Sequence, residues 1–214
     1  GHVSDQIADI AQSKEVNLVI LATHGRSGLK RLILGSVTER LMRTLHCPVL
    51  VVRSPEHEFI SPADQEITLQ RILIGCDFSP DSDLAFQYGL ALAQEFQSEL
   101  HLIHVIMPPV YKELFKSTVE SRDEFQKDLR NQLTEKLTKM VPDNARTWCT
   151  PKIDLLAGQP HEEIIKYAVV HTVDLIILGI RGHSLIETLF VGSTTDRVIR
   201  GAPCPVLSIC PTVQ

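Results

Sequence analysis

No run of apolar residues in this chain approaches the ~18 that a membrane-spanning helix requires, although 43% of its 214 residues are hydrophobic. A bilayer is therefore not an expected partner, and the apolar residues are free to build a core. Basic residues are not in excess either: 21 Lys and Arg stand against 26 Asp and Glu, for a net charge of −5. A general nucleic-acid binder would carry the opposite balance, so no nucleic-acid partner is expected. No secretory signal pattern is visible. The five cysteines (Cys47, Cys76, Cys149, Cys204 and Cys210) are odd in number and form no C-x-x-C. They read as reduced, mostly buried thiols of a cytoplasmic protein. A protein-built metal site is not expected. His101 and His104 stand three apart on one predicted strand, point to opposite faces and cannot chelate together. Two nucleotide signatures are also missing: G-x-x-x-x-G-K-[ST], which removes the P-loop, and G-x-G-x-x-G, which removes a Rossmann dinucleotide site.

What the chain does have is an internal repeat. Shifted by 157 positions, residues 1–53 align with 158–210 without a gap, and 19 of the 53 pairs are identical. The identities include Gly25/Gly182, Gly35/Gly192, Ser36/Ser193, Thr38/Thr195, Arg40/Arg197 and the paired runs Cys47-Pro48-Val49-Leu50 and Cys204-Pro205-Val206-Leu207. A fixed period sets the architecture before any local reading is made. About 88 residues (70–157) precede the second copy and have no counterpart before Gly1. The chain thus opens in the middle of its first unit, and a parent protein of two full units, on the order of 300 residues, is expected.

The second unit reads as strands alternating with helices. Residues 71–76 and 100–106 are short apolar runs, hence buried strands, and 84–96 has helical spacing between them. Over 111–140 an apolar stripe (Phe125, Leu129, Leu133, Leu137, Met140) fits one face of a long helix. Residues 146–156 form a third, less regular strand. Gly158-Gln159-Pro160 opens a helix to about Val170, with Glu162 and Glu163 in its first turn. Residues 173–179 are the strongest strand, a glycine-rich loop and a helix (194–200) follow, and 205–209 closes the unit. This alternation predicts an α/β fold with a parallel sheet covered on both faces. The domain boundaries follow: 1–53 is the last part of a first unit, 54–69 a linker, and 70–214 a complete second unit.

The loop carries the chemistry. It reads Gly179-Ile180-Arg181-Gly182, nine residues, then Gly192-Ser193-Thr194-Thr195. It leaves the carboxyl end of a parallel strand, the edge where open α/β sheets hold ligands. Glycines let backbone N–H groups approach a ligand, a helix N-terminus favours anions, and Ser193, Thr194 and Thr195 add hydroxyl donors. Together these make a phosphate cradle. On the residues alone a second reading stays open, in which the glycines only turn the chain and Ser193 only caps the helix.

The second unit resembles a universal stress protein domain of the ATP-binding type. Four places carry the likeness: Gly75-Cys76-Asp77-Phe78-Ser79, His104-Val105-Ile106, Gly158-Gln159-Pro160-His161-Glu162-Glu163-Ile164, and the G-x2-G-x9-G-S pattern at Gly179, Gly182, Gly192 and Ser193. The resemblance covers nearly all of the second unit and the part of the first that is present. It implies a tandem member of the family, each unit an open five-stranded parallel sheet with strand order 3-2-1-4-5. It also implies a binding site for ATP, with ADP and AMP equally admitted by the cradle and a magnesium ion as a companion. Carried over, Asp77 and Val105 would contact the adenosine end. Gly179, Gly182, His183, Gly192, Ser193, Thr194 and Thr195 would wrap the phosphates. A carboxylate at Asp77 suits ribose hydroxyls or adenine N–H groups, but Asp77 also competes with Ser79 to cap the next helix.

The first unit departs from this pattern. Ala22 stands where Gly179 does, and the chain holds no counterpart of Asp77 or Val105, so no complete site is expected there. Its inner faces are expected to be poorly covered, giving low stability or association with a second chain. The resemblance further implies that the two units pair through their last strands, with Cys47 and Cys204 near the seam, and that chains pair into a homodimer. The leading expectation is a stress-response regulatory protein that binds nucleotide. An interaction module without nucleotide, and a slow ATPase, remain as alternatives. For hydrolysis Arg181 and His183 are the nearby candidates, with Arg181 read as a solvated loop charge; the expectation is that the protein is not an enzyme.

Overall fold

The computed structural model describes residues 2–22, 35–52, 67–107, 119–149, 151–182 and 191–211. The strands are β1 (Val19–Ala22), β2 (Val49–Val52), β3 (Arg71–Gly75), β4 (Glu99–Ile106), β5 (Lys152–Ala157), β6 (Leu175–Gly179) and β7 (Val206–Ile209). The helices are α1 (Val3–Ser13), α2 (Ser36–Thr44), α3 (Pro80–Phe96), α4 (Val119–Met140), α5 (Pro160–Val170) and α6 (Ser193–Gly201). All seven strands join one sheet in the order β1-β2-β7-β6-β3-β4-β5. Every neighbouring pair is parallel except β2 with β7, which is antiparallel.

This corrects the expected five-stranded parallel sheet: among the described residues the sheet has seven strands and is mixed. The reason is the β2–β7 ladder, which places Val49 against Ser208 and Val51 against Val206 and so joins the two ends of the chain into one sheet. Within residues 70–214 the strands succeed one another across the sheet as third, second, first, fourth and fifth. The expected cysteines flank this ladder at its opposite ends, Cys47 two residues before Val49 and Cys204 two before Val206. Cys204 lies at the far end of the ladder, and it is the Cys210 thiol that donates to the Cys47 carbonyl at 3.3 Å.

Local signals explain the helix starts. Ser79 caps α3 by accepting from the Ser82 N–H at 3.2 Å. Pro80 follows at the first helical position, with Asp81 and Asp83 in the first turn. The competition between Asp77 and Ser79 for that cap is thus won by Ser79. Pro160 likewise opens α5. The irregular third strand is shorter than expected: Pro142 starts a 3-10 turn over Asp143–Thr147, and β5 begins only at Lys152. Of the predicted apolar stripe on α4, Leu137 is fully buried whereas Phe125 stays 39% exposed.

The sheet is apolar on both faces. Leu73, Ile103, Ile176 and Val206 pack with α1, α2, α5 and α6, through residues such as Leu41, Met42, Tyr167 and Ile199. Ile72, Ile74, Leu102, Ile177 and Leu207 pack against α3 and α4, through Ala85, Phe86 and Leu137. A parallel sheet needs both covers. β1 is the outer strand among those described, and its Ile20 is 62% exposed. Four of the five cysteines are buried. Burial pushes the thiols of Cys204 and Cys210 up to about 12 and about 11, which leaves them inert.

His101 and His104 do face opposite ways. His101 lies wholly buried beside Tyr167 on one face. His104 stacks on Phe78 on the other, ring centroids 4.8 Å apart, and its Nδ1–H donates to the Cys76 carbonyl at 2.8 Å. Desolvation lowers the His104 pKa from its ordinary value, against the pull of the Cys76 hydrogen bond and of Asp77. His101 is lowered by burial too, despite Glu99 beside it.

Two outcomes follow for stability. Below pH ~6.5 the unfolded chain binds more protons than the folded one, so stability present above that pH is lost as pH falls. Urea unfolding should therefore give a lower stability at pH 5.5 than at 7.5, and His104→Gln should remove part of that difference. Separately, a Cβ on Gly89 of α3 would come within 2.3 Å of Ile74 Cδ1 and 3.4 Å of Ile177 Cδ1. Gly89→Val should cost about 1–3 kcal/mol by overpacking, read by the same unfolding experiment.

Candidate functional site

The candidate site lies at the carboxyl edge of β3, β4 and β6. Register puts its parts at one level: Gly75 pairs with Ile103 on one side and Leu178 on the other. Two residues further along each chain stand Asp77, Val105 and Ile180. Brackets of structure then hold them. The turn after β3 places Phe78 in the left-handed region (φ 62°), and Asp77 Oδ1 accepts from the Ser79 N–H at 3.0 Å. The other carboxylate oxygen lies against the glycine loop, where a Cβ on Gly182 would meet Asp77 Oδ2 at 2.6 Å. The two residues expected at opposite ends of a nucleotide are therefore in direct contact through the missing side chain of Gly182. Val105 is 9% exposed near the end of β4. The next residue, Ile106, accepts from the Gly158 N–H at 3.1 Å, which joins the chain that opens α5 to the same edge.

The loop closes on itself. The Gly192 N–H donates to the Ile180 carbonyl at 2.7 Å. A Cβ on Gly192 would lie 3.2 Å from that carbonyl and 3.7 Å from the Gly182 nitrogen. Gly182 and Gly192 thus meet at one point, with nine residues between them (183–191). His183 lies outside the described residues. Gly179 admits a third element: a Cβ there would come within 2.7 Å of the Asp81 carbonyl carbon and 2.9 Å of the Ser82 nitrogen, at the first turn of α3.

The helix beyond the loop answers the capping question. α6 begins at Ser193 with Gly192 as its N-cap, and no side-chain oxygen caps it among the described residues. Ser193 is the first helical residue and exposed, Thr194 is half-buried, and Thr195 is buried. Thr195 Oγ1 donates to the Gly179 carbonyl at 2.8 Å, so its proton ties α6 to the end of β6. The hydroxyls nearer the surface are those of Ser193 and Thr194. The first-half equivalent differs. A Cβ on Gly35, the N-cap of α2, would meet nothing described within 4 Å, whereas Gly192 is packed on two sides. Among the described residues no cluster of His, Cys, Asp or Glu could hold a metal ion.

The reading of Arg181 as a solvated charge is overturned. Its Nε donates to Asp81 Oδ2 at 3.0 Å and its Nη2 to Asp81 Oδ1 at 3.4 Å. Its own backbone N–H donates to the same Oδ2 at 3.1 Å. Sequence reasoning missed Asp81, because an acid in a first helical turn has a sufficient local explanation and a partner 100 residues away leaves no spacing signal.

Known proteins resemble this chain in both sequence and fold. The model of the universal stress protein family matches residues 1–53 and 68–209. Universal stress protein MJ0577 of Methanocaldococcus jannaschii is 30% identical over 155 residues, which cover 67% of this chain and 96% of that protein. Universal stress protein Rv2005c of Mycobacterium tuberculosis is 25% identical over 91% of this chain, which spans 62% of its length. The solved structure of MJ0577 matches with a TM-score of 0.60 at 27% identity, over 69% of this chain and 100% of that one. A universal stress protein structure from Archaeoglobus fulgidus matches with a TM-score of 0.65 over 97% of this chain and 67% of that one. Its 24% identity speaks for the fold alone. With the family model spanning nearly the whole sequence, the chain belongs to the universal stress protein family.

Proposed function

We propose that residues 70–214 form a nucleotide-binding unit that takes ATP together with a divalent cation, and that the protein is a cytoplasmic regulator whose occupied state changes its contacts with partners. The observation that carries this reading is the contact of Asp77 with Gly182, 2.6 Å from where a Cβ would stand. That contact brings an acceptor for sugar or base N–H and O–H groups to the mouth of a glycine loop. The loop in turn leads to an α6 N-terminus without a side-chain cap among the described residues. Such an end offers N–H groups and a favourable dipole to an anion. The residues present therefore fit an adenine nucleotide. Asp77 and Val105 would hold the adenosine. Gly179, Gly182, His183, Gly192, Ser193 and Thr194 would hold the phosphates, with Thr195 positioning α6. The cation would neutralise phosphate charge, since the Arg181 guanidinium is already engaged by Asp81.

Residues 1–53 are proposed to be the last part of a first unit of the same kind, without a complete site. A Cβ on Gly35 would meet nothing among the described residues, and Ala22 replaces the first glycine. The reading is one of binding, and no hydrolytic step is assigned. Homodimer formation belongs to the same proposal and rests on the family pattern.

Calorimetric titration of nucleotide-stripped protein with ATP and magnesium tests this reading. Saturation near one ATP per chain is expected. Absence of binding at millimolar ATP would sink it and leave an interaction module with a structural turn. Two per chain would mean that the first half completes a pocket of its own. Two variants give the residue-level check. Asp77→Ala should weaken ATP at least about tenfold. Gly182→Val should abolish binding, because its side chain occupies the space against Asp77, while circular dichroism shows the fold intact.

A further inference from the structure

We propose that Asp81 is a positioning residue of the phosphate cradle, acting through Arg181. The proposal deepens the nucleotide reading and rests on it. Asp81 is 6% exposed, and its carboxylate takes three hydrogen bonds from a single residue. One comes from the Arg181 main chain and two from its guanidinium. A side chain gripped alone could swing while the backbone moved. Here the guanidinium holds the carboxylate in place, and the peptide plane cannot turn without breaking the N–H bond to that same carboxylate.

The residue so held is the hub of the loop. On its amino side, the Ile180 carbonyl receives the Gly192 N–H at 2.7 Å, which sets the far end of the loop. On its carboxyl side, Gly182 lies against Asp77. The Asp81 backbone is itself fixed, since Gly179 leaves room for it at a distance no Cβ would tolerate, 2.7 Å. The Ile180 N–H is spent on the Ile209 carbonyl at 2.8 Å and the Arg181 N–H on Asp81 itself, so what Asp81 passes from the α3 N-terminus to the loop is the placement of the next N–H, that of Gly182, before any ligand arrives. Preorganised donors bind an anion without the cost of ordering them at that moment. The burial of the acid side makes the pair sensitive: removing one partner leaves the other charge without compensation.

A merely structural Asp81 would loosen the whole unit. A positioning Asp81 acts on the phosphates and not on the adenosine, and this separates the two roles. The experiment compares wild type, Asp81→Ala and Asp81→Asn by calorimetry with MgATP and with adenosine, alongside amide hydrogen exchange over 179–182. In Asp81→Ala, MgATP binding should weaken about tenfold, adenosine binding should hold, and exchange at 181–182 should speed up while Ile180, held by the Ile209 carbonyl, stays protected. Asp81→Asn keeps an acceptor for the Arg181 N–H and should fall between; it carries the test if the alanine variant fails to fold. Equal loss for MgATP and adenosine, or an unchanged MgATP affinity, would overturn the proposal. If wild type itself binds no ATP, the nucleotide reading falls and this role falls with it. If wild type binds and the variants bind equally well, only the role of Asp81 falls.

Discussion

The antiparallel ladder between β2 and β7 is the constraint on which the rest of this structure depends. A parallel sheet of α/β type ends in an apolar edge strand, and such edges must be covered. Here β7 is covered by β2, and all four of its residues are buried. The ladder is reinforced where it could slip: Ser208 Oγ donates to the Val49 carbonyl at 3.2 Å, and the Cys210 thiol to the Cys47 carbonyl at 3.3 Å. Above it, Arg200 of α6 reaches Glu39 of α2 at 3.6 Å. With β7 held on both sides, β6 becomes an interior strand. The strand that launches the glycine loop is then rigid, and the loop inherits a fixed starting point.

Much of this was legible in the sequence because it rests on local or periodic signals. Apolar runs marked β3, β4 and β6, and Pro80 and Pro160 marked helix starts. Sheet size was not legible, because it depends on how two distant strands meet. The Cys210–Cys47 contact was not legible either: the repeat aligns Cys47 with Cys204, and an antiparallel seam sets those two at opposite ends. The late start of β5 was hidden as well, since residues 146–156 differ little in composition between a 3-10 turn and a strand.

For the site, the glycine spacing was the readable part, and the structure gives each described glycine a different reason. Gly179 makes room for α3, Gly182 for a carboxylate, and Gly192 for the return of the loop. A single short motif thus encodes three close approaches, each of which a Cβ would prevent or crowd. The unreadable part was the charge pairing. Arg181 and Asp81 are 100 residues apart, and each has a bland local explanation. Thr195 differs again: its hydroxyl was legible as a donor, and in the structure it donates to the Gly179 carbonyl at the end of β6.

The direction of the seam also limits how the two glycine-bearing halves can act together. β1 runs parallel to β2, β2 antiparallel to β7, and β7 parallel to β6. The carboxyl end of β1 at Ala22 and that of β6 at Gly179 therefore lie at opposite edges of the sheet. Following the register, Gly179 is level with Ile209, and Ala22 with Val52, just past the Val51–Val206 pair. The two ends are separated by about 13 Å along the strands and about 14 Å across three strand spacings. They also face away from each other. One ligand cannot bridge them. The mechanical link between the edges is the β2–β7 ladder and the helices over it, where Arg200 meets Glu39. A regulator built this way would report occupancy through the seam and the surfaces around it, and not through a pocket shared between its halves.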